Sequence, residues 1–100
     1  MRVLEICVDS LTSIANATDG GADRLELCSA LQLGGLTPSI GLVGCCKARS
    51  KLPVVAMLRP RAGNFVYSEE EAELILADLD AIKGLGVAGF VFGALLQYTP

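Results

Sequence analysis

Hydrophobic and polar positions alternate along this chain in short blocks. Val3 to Val8 reads Val-Leu-Glu-Ile-Cys-Val before Asp9-Ser10, a run too short and too β-branched for a helix, and it predicts a first strand. Leu11, Ile14 and Ala15 then share one helical face behind Ser10, whose hydroxyl can cap the first turn; Gly20-Gly21 predicts the stop through a left-handed conformation. Arg24 to Cys28 predicts a second strand and Ser29 to Thr37 a loop containing Gly34-Gly35. Thr37-Pro38 supplies an N-cap and a first-turn proline for a second helix reaching Ser50. Pro53 opens a third strand, Val54 to Leu58, and Arg59-Pro60-Arg61 begins a loop to Ser68. Ser68 and Glu71 form an S-x-x-E capping box, after which Ala72, Ile75, Leu76, Leu79 and Ile82 recur at helical spacing until Gly84. Ala88 to Phe92 predicts a fourth strand.

Strict alternation of strand and helix implies an α/β fold with parallel strands joined by right-handed crossovers. Two architectures fit, a doubly wound open sheet and part of a (β/α)8 TIM barrel. Side chains of a strand alternate between faces, so Glu5 and Cys7 oppose Leu4, Ile6 and Val8, and Glu26 and Cys28 oppose Leu25 and Leu27. An open sheet covered by helices on both sides needs two apolar faces, whereas a barrel covers only its outer face and tolerates polar groups near its mouth. The polar face favours the barrel. A complete one takes about 250 residues, so these 100 residues hold about four β/α units, a half barrel. The expected organisation is a partial barrel domain over residues 1–95 and a divergent tail over 96–100.

Composition narrows the classes of partner. Apolar residues make up 52% of the chain, which excludes intrinsic disorder as the default state. Eight Lys and Arg against eleven Asp and Glu leave a net charge of −3, the opposite of the basic footprint that nucleic-acid binding requires. Glu69, Glu70, Glu71, Glu73, Asp78 and Asp80 concentrate the acidity on the third helix, where its first turn welcomes negative charge through the helix dipole. No apolar run suggests a signal peptide or membrane span, so no membrane partner is expected. Four cysteines in an apolar, unsignalled chain are read as reduced thiols of an intracellular protein.

The distinctive pattern is a repeat. Leu4-Glu5-Ile6-Cys7 and Leu25-Glu26-Leu27-Cys28 share the form L-E-[IL]-C on consecutive strands. Neighbouring strands lie about 4.8 Å apart, so the reading sets Cys7 beside Cys28, with Glu5 and Glu26 one layer below. Two thiolates so placed suit a soft cation of low coordination number, Cu(I) foremost. Zinc would want four ligands, and the chain has no histidine. The plain alternative is a pair of small buried hydrophobes. Glu5 and Glu26 need a charged partner or a perturbed pKa, with Arg24, Arg59 or Arg61 available; their candidate roles are structural ion pairs, general acid/base groups or carboxylates that orient a ligand.

Arg59 and Arg61 follow the third strand at the barrel end where active sites form, and the helix opened by Ser68 offers N–H groups; together they suggest a small anionic ligand. Neutralisation of Glu5, Glu26 or Asp9 by the arginines is the competing reading. Asp9 and Ser10 are assigned to helix capping. Gly84-x-Gly86-x-x-Gly89 matches the dinucleotide fingerprint in letters only, because it precedes a strand instead of opening a helix. Cys45 and Cys46 are adjacent on a helix and diverge around its axis, which argues against a shared metal site.

The set E-I-C-V-D-S, G-G-A-D-R-L-E-L-C-S, G-G-L-T-P-S, R-P-R-x-G-x-F-x-Y-S and G-F-V-F-G-A-L resembles the amino-terminal half of the copper homeostasis CutC family, from Val3 to Leu95. Glu5, Cys7, Asp9, Arg24, Glu26, Cys28, Arg59, Arg61 and Ser68 fall on family positions. The resemblance implies a (β/α)8 barrel, a cytoplasmic and in eukaryotes also nuclear location, and Cu(I) bound by Cys7 and Cys28 for copper handling or shuttling. The alternative it carries is a barrel enzyme acting on a small anionic substrate, with Glu5 or Glu26 as acid/base and Arg59 and Arg61 on the anion. After Gly93-Ala94-Leu95 the sequence leaves the family pattern. A chain of four units is then expected to be a truncated product, inactive as an enzyme, that self-associates into a homo-oligomer if it folds.

Overall fold

All four strand predictions are realised, slightly trimmed. In the computed structural model, which describes residues 2–97, β1 is Glu5–Val8, β2 is Arg24–Leu27, β3 is Val54–Met57 and β4 is Gly89–Val91. They form one parallel sheet in the order β1-β2-β3-β4. Three helices, α1 (Leu11–Asp19), α2 (Ile40–Arg49) and α3 (Glu69–Lys83), carry the crossovers. Of the expected tail, residues 98–100 lie outside the described residues.

The polarity alternation sorts the two faces. Val8, Leu25, Leu27, Val54 and Ala56 are fully buried and pack with Ile14 of α1, Val43 and Cys46 of α2 and Ile82 of α3 in one core. Burial of a Leu or Val side chain contributes about 1.5–3 kcal/mol, so this layer between sheet and helices holds the fold together. The opposite face carries Glu5, Cys7, Glu26, Val55 and Met57, all partly or fully exposed apart from the neighbours that cover them. It is the face a barrel turns inward.

Helix caps refine the sequence reading at three places. Ser10 caps α1 as expected, and its reciprocal partner is Ser13, whose hydroxyl accepts from the Ser10 N–H. Ser68 and Glu71 form the predicted box on α3. The cap of α2 is Ser39, not Thr37: its hydroxyl accepts from Leu42 N at 3.0 Å. Thr37 is withheld from the helix because its N–H donates to Arg59 O and its hydroxyl accepts from Arg59 N, which extends the link to the end of β3. At the end of α1 the left-handed residue of the expected Gly20-Gly21 pair is Gly21 at φ +97°, while Gly20 remains helical at φ −79°.

The Ser29–Thr37 stretch is more ordered than a loop. Ser29 and Leu36 form an antiparallel bridge around a single 3-10 turn, Leu31–Leu33. Gly84 caps α3, and Gly86 at φ +87° turns the chain toward β4, so the glycine triplet is a helix stop and turn as read.

Candidate functional site: the inner face of the sheet

The register determines which side chains meet. Glu5 pairs with Arg24, Cys7 with Glu26, and Glu26 in turn with Val55. The L-E-[IL]-C repeat is therefore slid by two residues between β1 and β2, and Cys7 stands beside Glu26, not beside Cys28. This corrects the expected layering of two cysteines above two glutamates. Staggered registers are what allow parallel strands to curl into a barrel, and a slip of two keeps both cysteines on the same face. Cys28 sits one step nearer the C-terminal end of the strands, diagonal to Cys7, with its N–H donated to Val8 O at 3.0 Å.

Each carboxylate has a distinct partner. Arg24 Nε donates to Glu5 Oε1 at 2.7 Å, which settles Glu5 in a partly exposed ion pair worth about 0–1 kcal/mol. Cys7 Sγ donates to Glu26 Oε2 at 3.5 Å. Burial first, and then the charge and hydrogen bond of Glu26, push the Cys7 thiol up from its ordinary value. Cys28 is fully buried and pushed up to about 11, first by burial and then by the nearby Cys7, Asp9 and Glu26. Both groups are thus protonated thiols at neutral pH, and a bound cation must displace their protons.

Asp9 does not cap α1. Its Oδ2 accepts from Leu31 N at 3.2 Å and ties the end of β1 to the 3-10 turn. That turn brings Gly35 over the inner face: a side-chain Cβ there would meet Met57 Sδ at 2.9 Å and Cys28 Sγ at 3.3 Å. Gly35 also has φ +94°, so glycine is required twice over. Met57 escaped the sequence reading because a methionine in an apolar strand looks like core. Its alternation with buried Ala56 was the available signal.

The two arginines do not reach Glu5 or Glu26. Arg59 donates to the carbonyls of Leu33, Gly35 and Gly63 and lies 5.1 Å over the Phe65 ring. Arg61 forks onto both oxygens of Glu71, donates to Asn64 O and Val66 O, and lies 5.0 Å over the Tyr67 ring. Both guanidiniums shape the β3–α3 loop, and Arg59 Nε is buried there without a hydrogen-bond partner. The α3 N-terminus is likewise closed by its own capping box and flanked by Glu69, Glu70 and Glu71. On α2, Cys46 is buried and Cys45 exposed, diverging as expected.

Among the described residues no cluster of three or more His, Cys, Asp and Glu side chains is arranged to hold a metal. Two thiols fit a cation of low coordination number, and they do not fit zinc.

A curled parallel sheet with helices on one face and polar groups on the other belongs to a (β/α)8 barrel, of which the described residues form four strands and the three helices between them. The crystal structure of a CutC protein from Streptococcus agalactiae superposes with a TM-score of 0.89 at 32% identity, covering 97% of this chain and 48% of that one. The CutC family profile matches residues 2–99. The copper homeostasis protein cutC homolog of Caenorhabditis elegans is 55% identical over 93 residues, 92% of this chain and 37% of the relative. Its Homo sapiens counterpart is 50% identical over 95 residues, 95% of this chain and 35% of the relative. The chain belongs to the CutC family and spans well under half the length of these curated relatives.

Proposed function

We propose that this chain takes part in copper homeostasis by holding Cu(I) as cargo between Cys7 and Cys28. The observation that carries this reading is the placement of both thiols on one polar inner face, Cys7 on β1 and Cys28 at the end of the neighbouring β2, one row apart in the register. The printed names of the relatives support the same reading. Thiolate sulfur selects Cu(I) over harder cations, and the fully buried Cys28 gives the ion a site shielded from water. Glu26 accepts the hydrogen bond of the Cys7 thiol and so stands beside the first of the two sulfurs. Arg24 holds Glu5 as an ion pair and leaves Glu26 as the carboxylate at the site.

The cargo role is read for a reducing cytoplasmic or nuclear compartment, supported by the four free cysteines. We further propose that the chain self-associates with a second copy. The sheet leaves β1 and β4 as open edges, and beside β4 a groove of about 520 Å³ is lined by Leu58, Tyr67, Ile75, Leu76, Leu79, Phe90 and Phe92. Such an edge continuous with an apolar groove suits a second copy of the same layered unit.

Competition with a Cu(I) chelator under anaerobic, reducing conditions tests the cargo role. The wild-type chain is expected to withdraw copper from the chelator, and the double variant Cys7→Ser, Cys28→Ser to lose that ability. Equal competition by both proteins would overturn the reading.

A further inference from the structure

We infer that Met57 is a third ligand of the copper site, making it a three-sulfur centre of Cys7, Cys28 and the Met57 thioether. This rests on the cargo reading above and adds a residue to it.

The inference begins at Gly35. Met57 Sδ and Cys28 Sγ both lie within 3.3 Å of the single point that a Gly35 Cβ would occupy. The two sulfurs are therefore close neighbours, reached from different strands. The register explains why: Leu27 pairs with Ala56, and one step further along the same parallel pairing sets Cys28 beside Met57. Cys7 stands on β1 beside Glu26, one row back from Cys28 and diagonal to it on the same face.

The chemistry of the donors agrees. A thioether is a soft, uncharged ligand, and Cys with Met is the donor combination that favours Cu(I). A neutral third donor adds coordination without adding a negative charge to a face that already carries Glu26 and Asp9. Buried Val54 and Ala56 alternate with Met57, which keeps its side chain off the helix-packed core and on the inner face. Gly35 clears the space beside both sulfurs, and the Arg59 guanidinium, donating to Gly35 O at 3.2 Å, holds that turn in place. The sequence around Gly34-Gly35 thereby acquires a reason that a simple loop does not supply.

X-ray absorption on the copper-loaded, reduced chain tests the assignment. At the copper edge the wild-type protein is expected to show three sulfur neighbours and Met57→Leu two, with Cu(I) affinity reduced about tenfold or more, the scale on which even supporting partners of a metal site act. Leu for Met conserves volume and keeps the fold. Selenomethionine substitution, which leaves the sequence unaltered, is expected to give a copper neighbour at the selenium edge that disappears in Met57→Leu. Two sulfur neighbours in both proteins, unchanged affinity and no copper at selenium would overturn the Met57 assignment while the cysteine site stands. Copper retained by Cys7→Ser, Cys28→Ser would instead overturn the reading beneath it.

Discussion

Cys7 and Cys28 occupy different steps of the inner face, and their surroundings differ accordingly. Cys7 is exposed and bonded to Glu26, while Cys28 lies under the turn that carries Gly35. Alkylation of the folded, reduced chain, followed by peptide mass spectrometry, is expected to modify exposed Cys45 first and buried Cys28 and Cys46 last. Labelling of Cys28 at the pace of Cys45 would show that the turn does not cover it. That both cysteines share one face was legible in the repeated L-E-[IL]-C pattern, because strand alternation keeps them together at any even register offset. Their layering was not legible. Register between parallel strands is set by packing across the whole sheet, and a slip of two leaves the local pattern unchanged while pairing Cys7 with Glu26. The partners of Arg59 and Arg61 were not legible for a related reason: a loop's hydrogen-bond demands, here the carbonyls of Leu33, Gly35, Asn64 and Val66, leave no periodic trace in the sequence.

At the scale of elements, the third helix shows how one side chain can serve two purposes. Glu71 closes the capping box on Ser68 and receives the fork of Arg61, which fixes the β3–α3 loop to the helix start. The Arg61 hydrogen bonds, aided by the Ser68 N–H, hold the Glu71 carboxyl below its ordinary value of 4.5. Since the folded-state value is the lower one, this contribution is complete above the ordinary value and is lost as the pH falls through the folded-state value. Thermal unfolding followed between about pH 6 and pH 3 is expected to show a shallower acid decline in Glu71→Gln than in wild type, with a lower melting temperature at pH 7. Identical acid limbs would mean that the fork contributes nothing. Helix positions were readable from capping residues and apolar spacing, as for Ser10 and Ser68. The α2 cap moved to Ser39 because Thr37 was drawn into a tertiary link with Arg59 that no local rule contains.

For the molecule as a whole, the polar inner and apolar outer faces follow from strand alternation, and that asymmetry made the barrel legible in the sequence. The groove beside β4 was less so, since exposed Leu76 and Phe92 join buried Ile75 only once α3 lies along the strand edge. Size-exclusion chromatography with light scattering on the 100-residue chain is expected to give a dimer or larger assembly, shifted toward monomer by Leu76→Glu. A monodisperse wild-type monomer would contradict self-association. Copper bound between Cys7 and Cys28 is tested by native mass spectrometry of the reduced chain, with and without Cu(I) under anaerobic conditions. A folded charge-state distribution is expected that gains copper in wild type and not in the Cys7→Ser, Cys28→Ser variant. A folded wild-type chain that takes up no copper, or a variant that takes up as much, would contradict it.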